Sequence, residues 1–369
     1  MKILFDFCNT TKSSLFYQNR NVSQLGILDT ETSIIIFLKI PKHIRDHGIT
    51  GVTCHDGYIY CVTQSAAKPK ILKVSEKDLR VVKEGVLAGS KDVHSVVIHK
   101  DILLACSTGT NSVESYSLDS FEHKGLYWQH PKTSRGGDVV HLNGICVHQG
   151  DVWVSCMGLK SGERWSSARN GYLVNTKDNQ TKYNIFHPHS PKSYRSRLYF
   201  CESSSGTVYM GTQKVVVLKN SYIRGLDVDG DKLVLGISGG RKKSRSLKVV
   251  NNPADSGHYV SKCGVLLYDQ VTRNKTYYNL SNYEKEIYDV KILNNSVGDI
   301  DLHFNGFVKI GVSSQDTENI FVSEIVRQKE ALEGELIKYQ RRILEIEKSM
   351  PYRLVKFFKR SKRYIFNHS

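Results

Sequence analysis

Leu142-Asn-Gly-Ile-Cys-Val-His-Gln-Gly-Asp-Val-Trp-Val-Ser-Cys156 reads as two short apolar strands joined by a Gln-Gly turn. The unit recurs along the chain. Upstream it stands as Ile49-Thr-Gly-Val-Thr-Cys-His-Asp-Gly-Tyr-Ile-Tyr-Cys-Val-Thr63 and as Val93-His-Ser-Val-Val-Ile-His-Lys-Asp-Ile-Leu-Leu-Ala-Cys-Ser107. Downstream it returns in His189–Ser203, in Ile223–Ile237 and, more weakly, in Ile287-Tyr-Asp-Val-Lys-Ile-Leu293. β-Branched and aromatic residues fill the strand positions, and Gly, Asp and Asn fill the turns. Six such hairpins in series predict an all-β fold, a six-bladed β-propeller. The first strand of each copy lines the channel. Third and fourth strands are fainter, as in Gly206–Met210 and Lys214–Leu218. A ring must close, so Met1–Cys8 is expected to complete the last blade and leave no open inner edge.

The rest of the composition agrees with a folded chain. Of 369 residues, 40% are hydrophobic and 24% charged, an ordinary globular balance. There is no apolar run of 18 or more residues, so no transmembrane helix is expected. The first residues, MKILFDFCNTTKSS, are too polar for a secretory signal. Eight scattered cysteines with no CxxC pair are expected to be reduced core residues of a cytoplasmic protein, which disfavours structural zinc. The formal charge is +16, and two blocks supply much of it: Arg241–Lys248 and the tail 351–369. These blocks sit in a loop and a tail rather than across a folded face, so no nucleic acid is expected as a partner.

From about Glu318 the period changes. Phe321, Ile325, Leu332, Leu336, Tyr339, Ile343, Ile346 and Met350 follow three- and four-residue steps up to Pro351. The pattern predicts a coiled-coil helix over 318–350 that makes a homo-oligomer; a helix packed on its own propeller is the alternative. Residues 351–369 mix six cations with Leu354, Phe357, Phe358 and Ile365 and carry no acid. This basic amphipathic tail suits an anionic membrane surface, or else is a solvated basic end. The expected domains are thus 1–317, 318–350 and 351–369.

Chemistry is expected at one mouth of the channel, where the inner strands begin. Aligning the copies places Thr50, His94, Asn143, Ser190, Arg224 and Asp289 at equivalent positions, with His141, His189 and Tyr288 beside them. His94, His141 and His189 are the candidate catalytic residues, since an imidazole titrates near neutral pH. Arg224, Asn143, Glu202, Tyr288 and Asp289 are the candidate substrate-binding residues, with Arg224 offering a fork to a carboxylate or phosphate. A divalent metal held by His with Glu202 or Asp289 would fit the same mouth, although ligands from different blades leave no spacing signature. The plainer reading is a polar channel that holds water. His47, His55, His99 and His148 read as surface turn residues. No dinucleotide, P-loop, HExxH or GxSxG motif is present.

Asp92-Val-His94, His141-Leu-Asn-Gly144, His189-Ser-Pro191, Glu202-Ser203, Arg224-Gly-Leu226, Cys263-Gly-Val265 and Tyr288-Asp-Val290 occur in this order. The set, spread over about residues 45–300, resembles an uncharacterised bacterial propeller family, domain of unknown function 4915. That resemblance implies a six-bladed propeller with streptogramin-lyase-like or gluconolactonase-like relatives, which use metal at the mouth. The acidic set of those relatives is missing from this chain. Leu336–Arg363 is similar to the C-terminal ends of bacterial glycosyltransferases working at the inner membrane. Together these features lead to the expectation of a cytoplasmic, membrane-peripheral propeller in cell-surface glycan assembly. It would bind or modify an anionic sugar or nucleotide sugar, as a lyase or transferase. The alternative is a non-catalytic scaffold for a protein partner.

Overall fold

The computed structural model describes residues 1–8, 23–38, 40–41, 48–63, 65, 68–134, 136–239, 262–293, 308–311 and 314–316, with 339, 340, 342 and 345 beyond. The chain divides into two units, Met1–Thr317 and Glu318–Ser369. In the second, Tyr339, Gln340, Arg342 and Glu345 have helical backbone and are exposed. The rest of the expected heptad helix and the basic tail lie outside the described residues, as do Arg241–Lys248 and His47.

The first unit is a six-bladed β-propeller. Blade I is β4 (Ile49–His55), β5 (Tyr58–Thr63), β6 (Lys70–Ser75) and β7 (Val81–Val86). Blade II runs from β8 (Val93–His99) through β9 (Ile102–Ser107) and β10 (Ser112–Ser117) to β11 (His123–Gln129). Blade III holds β12 (Leu142–His148), β13 (Asp151–Cys156), β14 (Gly171–Asn175) and β15 (Thr181–Ile185). Blade IV holds β16 (Pro188–Tyr194), β17 (Arg197–Glu202), β18 (Thr207–Met210) and β19 (Gln213–Val217). Blade V is β20 (Tyr222–Asp229), β21 (Lys232–Ser238), β22 (Gly264–Asp269) and β23 (Lys275–Asn279). Blade VI joins the two ends of this unit: β24 (Ile287–Leu293) pairs antiparallel with β1 (Lys2–Phe7), followed by β2 (Leu25–Asp29) and β3 (Ile34–Phe37). Two short strands, β25 (Val308–Gly311) and β26 (Ser314–Asp316), extend the outer edges of blades VI and V.

Each inner strand packs against the next around the circle, β24 returning to β4. The core lies between blades rather than at the axis. Blades V and VI share Phe5, Phe37, Val234, Val265 and Tyr278 in one cluster, and blades II and III share Leu104, Cys106, Ile145 and Val154 in another. All eight cysteines are free, seven of them buried. Burial pushes the thiols of Cys54, Cys61, Cys106, Cys146, Cys156, Cys201 and Cys263 up, Cys146 to about 12, so these seven remain protonated fillers.

One polar device recurs at blade junctions. A short side chain of one blade donates a hydrogen bond to the carbonyl of the first or second residue of the next blade's inner strand. Thr50 donates to Val93, Thr108 to Leu142 and Asn143 to Pro188. Ser203 donates to Ile223, and Ser238 to Ile287. A buried carbonyl left unpaired would cost roughly 1–3 kcal/mol, so these side chains are structural as well as polar. The inner strands also carry a bulge at this level, seen as register shifts between Ile49 and Gly51, Leu142 and Gly144, and Ile223 and Leu226.

Candidate functional site

The bulges decide which side chains meet. Thr50, His94, Asn143, His189 and Tyr288 are each the second residue of an inner strand, and Arg224 is the third of β20. In blades IV and VI the equivalent residues are therefore His189 and Tyr288, one before the Ser190 and Asp289 expected from the sequence. Successive side chains of a strand face opposite sides, so a shift of one moves a residue out of the set.

His94, His141, Tyr288, Arg224 and His189 are linked through ring contacts. The His94 ring meets His141 at 4.9 Å and Tyr288 at 5.5 Å. The Arg224 guanidinium lies 5.3 Å from the Tyr288 ring centroid and 5.0 Å from that of Tyr222. Tyr222 in turn meets His189 at 5.6 Å. Asn143 joins through His94, whose Nδ1 lies 3.4 Å from Asn143 Oδ1.

Hydrogen bonds fix the imidazole protons. His189 Nδ1 lies 2.7 Å from Ser203 Oγ and 3.1 Å from the His187 carbonyl oxygen. A carbonyl only accepts, and the Ser203 hydroxyl proton goes to Ile223 O at 2.6 Å. Nδ1 therefore carries the proton. Burial first, then the Arg224 charge, pushes the pKa of His189 well below the ordinary value, so the ring is neutral and Nε2 is a bare lone pair. That Nε2 is buried and has no hydrogen-bond partner. His141 donates Nδ1–H to Asp138 Oδ2 at 2.7 Å, and burial likewise lowers its pKa. His187 donates Nε2–H to the Trp165 carbonyl, is pushed down to about 4 by burial, and leaves Nδ1 unpartnered.

Arg224 is the cation of the group. Desolvation works against its charge, but Tyr222, Glu286, Cys8 and Tyr288 outweigh it and raise its pKa. Its Nη1 lies 3.9 Å from Glu286 Oε1, too long for a hydrogen bond, and its Nε–H is buried without a partner. The Tyr288 hydroxyl is buried and unpartnered too, and burial raises its pKa well above that of a free phenol.

Two candidates are spent elsewhere. Glu202 accepts from the Phe186 amide at 2.9 Å and from Ser205 Oγ at 2.6 Å. Asp289 pairs with Lys291 Nζ at 3.1 Å, in a channel network where Lys192 meets Asp227 at 2.5 Å. Among the described residues no group of three or more His, Cys, Asp or Glu side chains is placed to hold a metal ion. His55, His99 and His148 end the inner strands and are only half-buried, with His148 Nδ1 3.0 Å from Ser193 Oγ. They are channel-end residues rather than free surface turns.

Three neighbours were not foreseen from the sequence. Trp165, in the loop between β13 and β14, lies 4.4 Å from the His141 ring. Tyr222 opens β20, one residue before the point where the repeats were aligned. Glu286 immediately precedes β24 and carries no repeat signal of its own.

No helix among the described residues is long and apolar enough to cross a membrane. No curated protein matches the chain. Solved structures with related folds include a nidogen/laminin complex, at 10% identity over 78% of this chain and 97% of that chain, TM-score 0.47. U3-55K matches at 14% identity over 66% of each chain, TM-score 0.39. A hydrazine synthase of Kuenenia stuttgartiensis matches at 11% identity over 64% of this chain and 68% of that chain, TM-score 0.37. At these values none of them bears on function. The ordered motifs quoted above fall within or beside residues 57–299, which match the model of the domain of unknown function DUF4915, and the chain belongs to that family.

Proposed function

We propose that the channel mouth binds an anionic sugar or nucleotide sugar, and that the protein serves cell-surface glycan assembly at the periphery of the membrane. One observation carries the binding reading: the buried polar atoms left unspent are of both kinds. His189 Nε2, His187 Nδ1 and Asp138 Oδ1 can only accept, while Arg224 Nε–H can only donate and the Tyr288 hydroxyl is free to donate. A sugar hydroxyl both donates and accepts, so a polyhydroxylated ring can satisfy both kinds at once. The guanidinium suits a carboxylate or phosphate on that ring, and the Trp165, Tyr222 and Tyr288 faces suit its C–H surface. The glycan and membrane setting rests on the basic, aromatic segment 351–369.

Tyr288→Phe tests the site, because the hydroxyl makes no hydrogen bond within the protein. Relieving an unpaired buried hydroxyl should leave the fold as stable as before or up to about 1–3 kcal/mol more so. Binding of the nucleotide sugar or acidic glycan fragment selected by calorimetry should weaken about tenfold, the worth of one hydrogen bond. Unchanged affinity in Tyr288→Phe, or a destabilised fold, refutes the assignment.

A further inference from the structure

We infer that the mouth removes the proton beside the carboxylate of a 1,4-linked hexuronate residue and expels the sugar attached at its C4, with His189 as base, Arg224 as carboxylate holder and Tyr288 as proton donor to the leaving oxygen. The inference rests on the sugar-binding reading and adds a substrate class and a reaction to it.

Elimination next to a carboxylate needs three groups. The base must be unprotonated and pointed by a fixed partner. His189 meets this through the Ser203 and His187 contacts on Nδ1, which leave Nε2 bare. The charge that builds on the carboxylate as the C5 proton leaves needs a fixed cation, since preorganised charge is worth most out of water. Arg224 is half-buried, its guanidinium 5.0 Å from the Tyr222 ring and 5.3 Å from the Tyr288 ring, with its buried Nε–H unspent. The departing oxygen needs a proton. The Tyr288 hydroxyl is unspent, and its ring lies 5.3 Å from the Arg224 guanidinium.

The order in space suits the order of events. The Arg224 guanidinium lies 5.0 Å from the Tyr222 ring, which meets His189 at 5.6 Å, and 5.3 Å from the Tyr288 ring. The holder of the C5 carboxylate thus has near it a group for the C5 proton and a group for the oxygen on C4. The C5–H bond breaks and its proton passes to His189 Nε2. The freed electron pair forms the C4=C5 double bond. The C4–O bond breaks with its pair on oxygen, which takes the Tyr288 proton. Nothing is oxidised or reduced and no co-substrate is consumed. Solvent returns the proton from His189 to Tyr288.

The full-length protein is incubated with oligomers of 1,4-linked glucuronate, galacturonate, mannuronate and guluronate, and the ultraviolet absorbance of the conjugated C4=C5 product is followed. One of the four should give the unsaturated product. His189→Gln and Tyr288→Phe should each slow it by about 100-fold or more, the ordinary worth of a positioned acid or base. Tyr288→Phe breaks no hydrogen bond of the protein, so its result does not depend on whether His189→Gln folds. Oligomer binding by calorimetry with neither unsaturated product nor deuterium exchange at C5 overturns the elimination but leaves the sugar-binding reading standing. If nucleotide sugars bind and no uronate oligomer does, the substrate class is wrong. If neither binds, the reading beneath it fails as well. Elimination at the wild-type rate in His189→Gln overturns the base.

Discussion

Replacing glycines at the blade junctions separates two contributions to the stability of the ring. Three alanine variants suffice. Gly57, in the turn of blade I, has φ +74°, and a Cβ there would meet nothing within 4 Å. Gly57→Ala therefore reports only the cost of a left-handed backbone for an L-residue, about 1 kcal/mol. Gly51 is not left-handed, but a Cβ would stand 2.9 Å from Ser95 Cα in blade II. Gly51→Ala reports only crowding against backbone that cannot rotate away, about 1–3 kcal/mol. Gly225 combines both: φ is +77°, and a Cβ would stand 2.9 Å from Asp289 C and Val290 N of blade VI. Its alanine variant should cost roughly the sum, about 2–4 kcal/mol, since strain and contact act on different coordinates. Urea unfolding followed by tryptophan fluorescence should order the midpoints wild type, Gly57→Ala, Gly51→Ala, Gly225→Ala. Arg224 directly precedes Gly225, so ligand affinity should fall with it, while Gly57→Ala binds normally. If Gly225→Ala unfolds at no lower urea than Gly57→Ala, the close inner ring described here is wrong.

Two further outcomes follow from charge. His187 has a pKa of about 4 in the fold against 6.5 when free, so between those values the unfolded chain binds the extra proton and stability falls as the solution is acidified. The loss approaches about 3 kcal/mol at the acid end. Asp6 and Asp289, whose carboxyls burial raises, act with the opposite sign, so wild type is compared with His187→Gln. The variant should lose less urea resistance between pH 7 and pH 4, and an equal loss in both proteins refutes the buried neutral imidazole. Separately, binding of the whole chain to anionic vesicles should weaken as salt rises, because screening weakens the attraction of the six cations of 351–369. Salt-independent or absent vesicle binding removes the membrane role.

The inner hairpins were legible in the sequence because each combines short runs of buried, mostly apolar residues with turn chemistry, as in Ile145–Val154. Outer strands such as Val81–Val86 were not. Their side chains are mostly exposed, so burial imposes no pattern on VVKEGV. Closure was legible too, since an unpaired Lys2–Phe7 beside an unpaired Ile287–Leu293 would leave two apolar edges open. At the mouth, His94, Asn143 and Arg224 were placed by the repeat, and His141, His189 and Tyr288 by adjacency. Asp289 was set one residue too far along, since Tyr288 is the second residue of the copy that opens at Ile287. Glu202 ends β17 at the right level, but its carboxylate caps the Phe186 amide.

What the sequence alone could not show is which polar residues the ring itself uses. Thr50 and Asn143 look like ligand residues in the repeat, yet both are consumed in tying one blade to the next. His94 is held between Asp92 and Asn143. In blades IV and V that tie is made by Ser203 and Ser238, which stand at or just after the end of the second strand. This frees the inner-strand side chains of blades IV and V, and blade VI adjoins them. His189, Arg224 and Tyr288 are the members of the aligned set that keep unpaired buried polar atoms, and they come from those three consecutive blades. The pseudo-sixfold ring is therefore chemically one-sided. The sugar proposed above would sit off the axis toward blades IV–VI, with the Trp165 and His141 rings, 4.4 Å apart, on the blade III side.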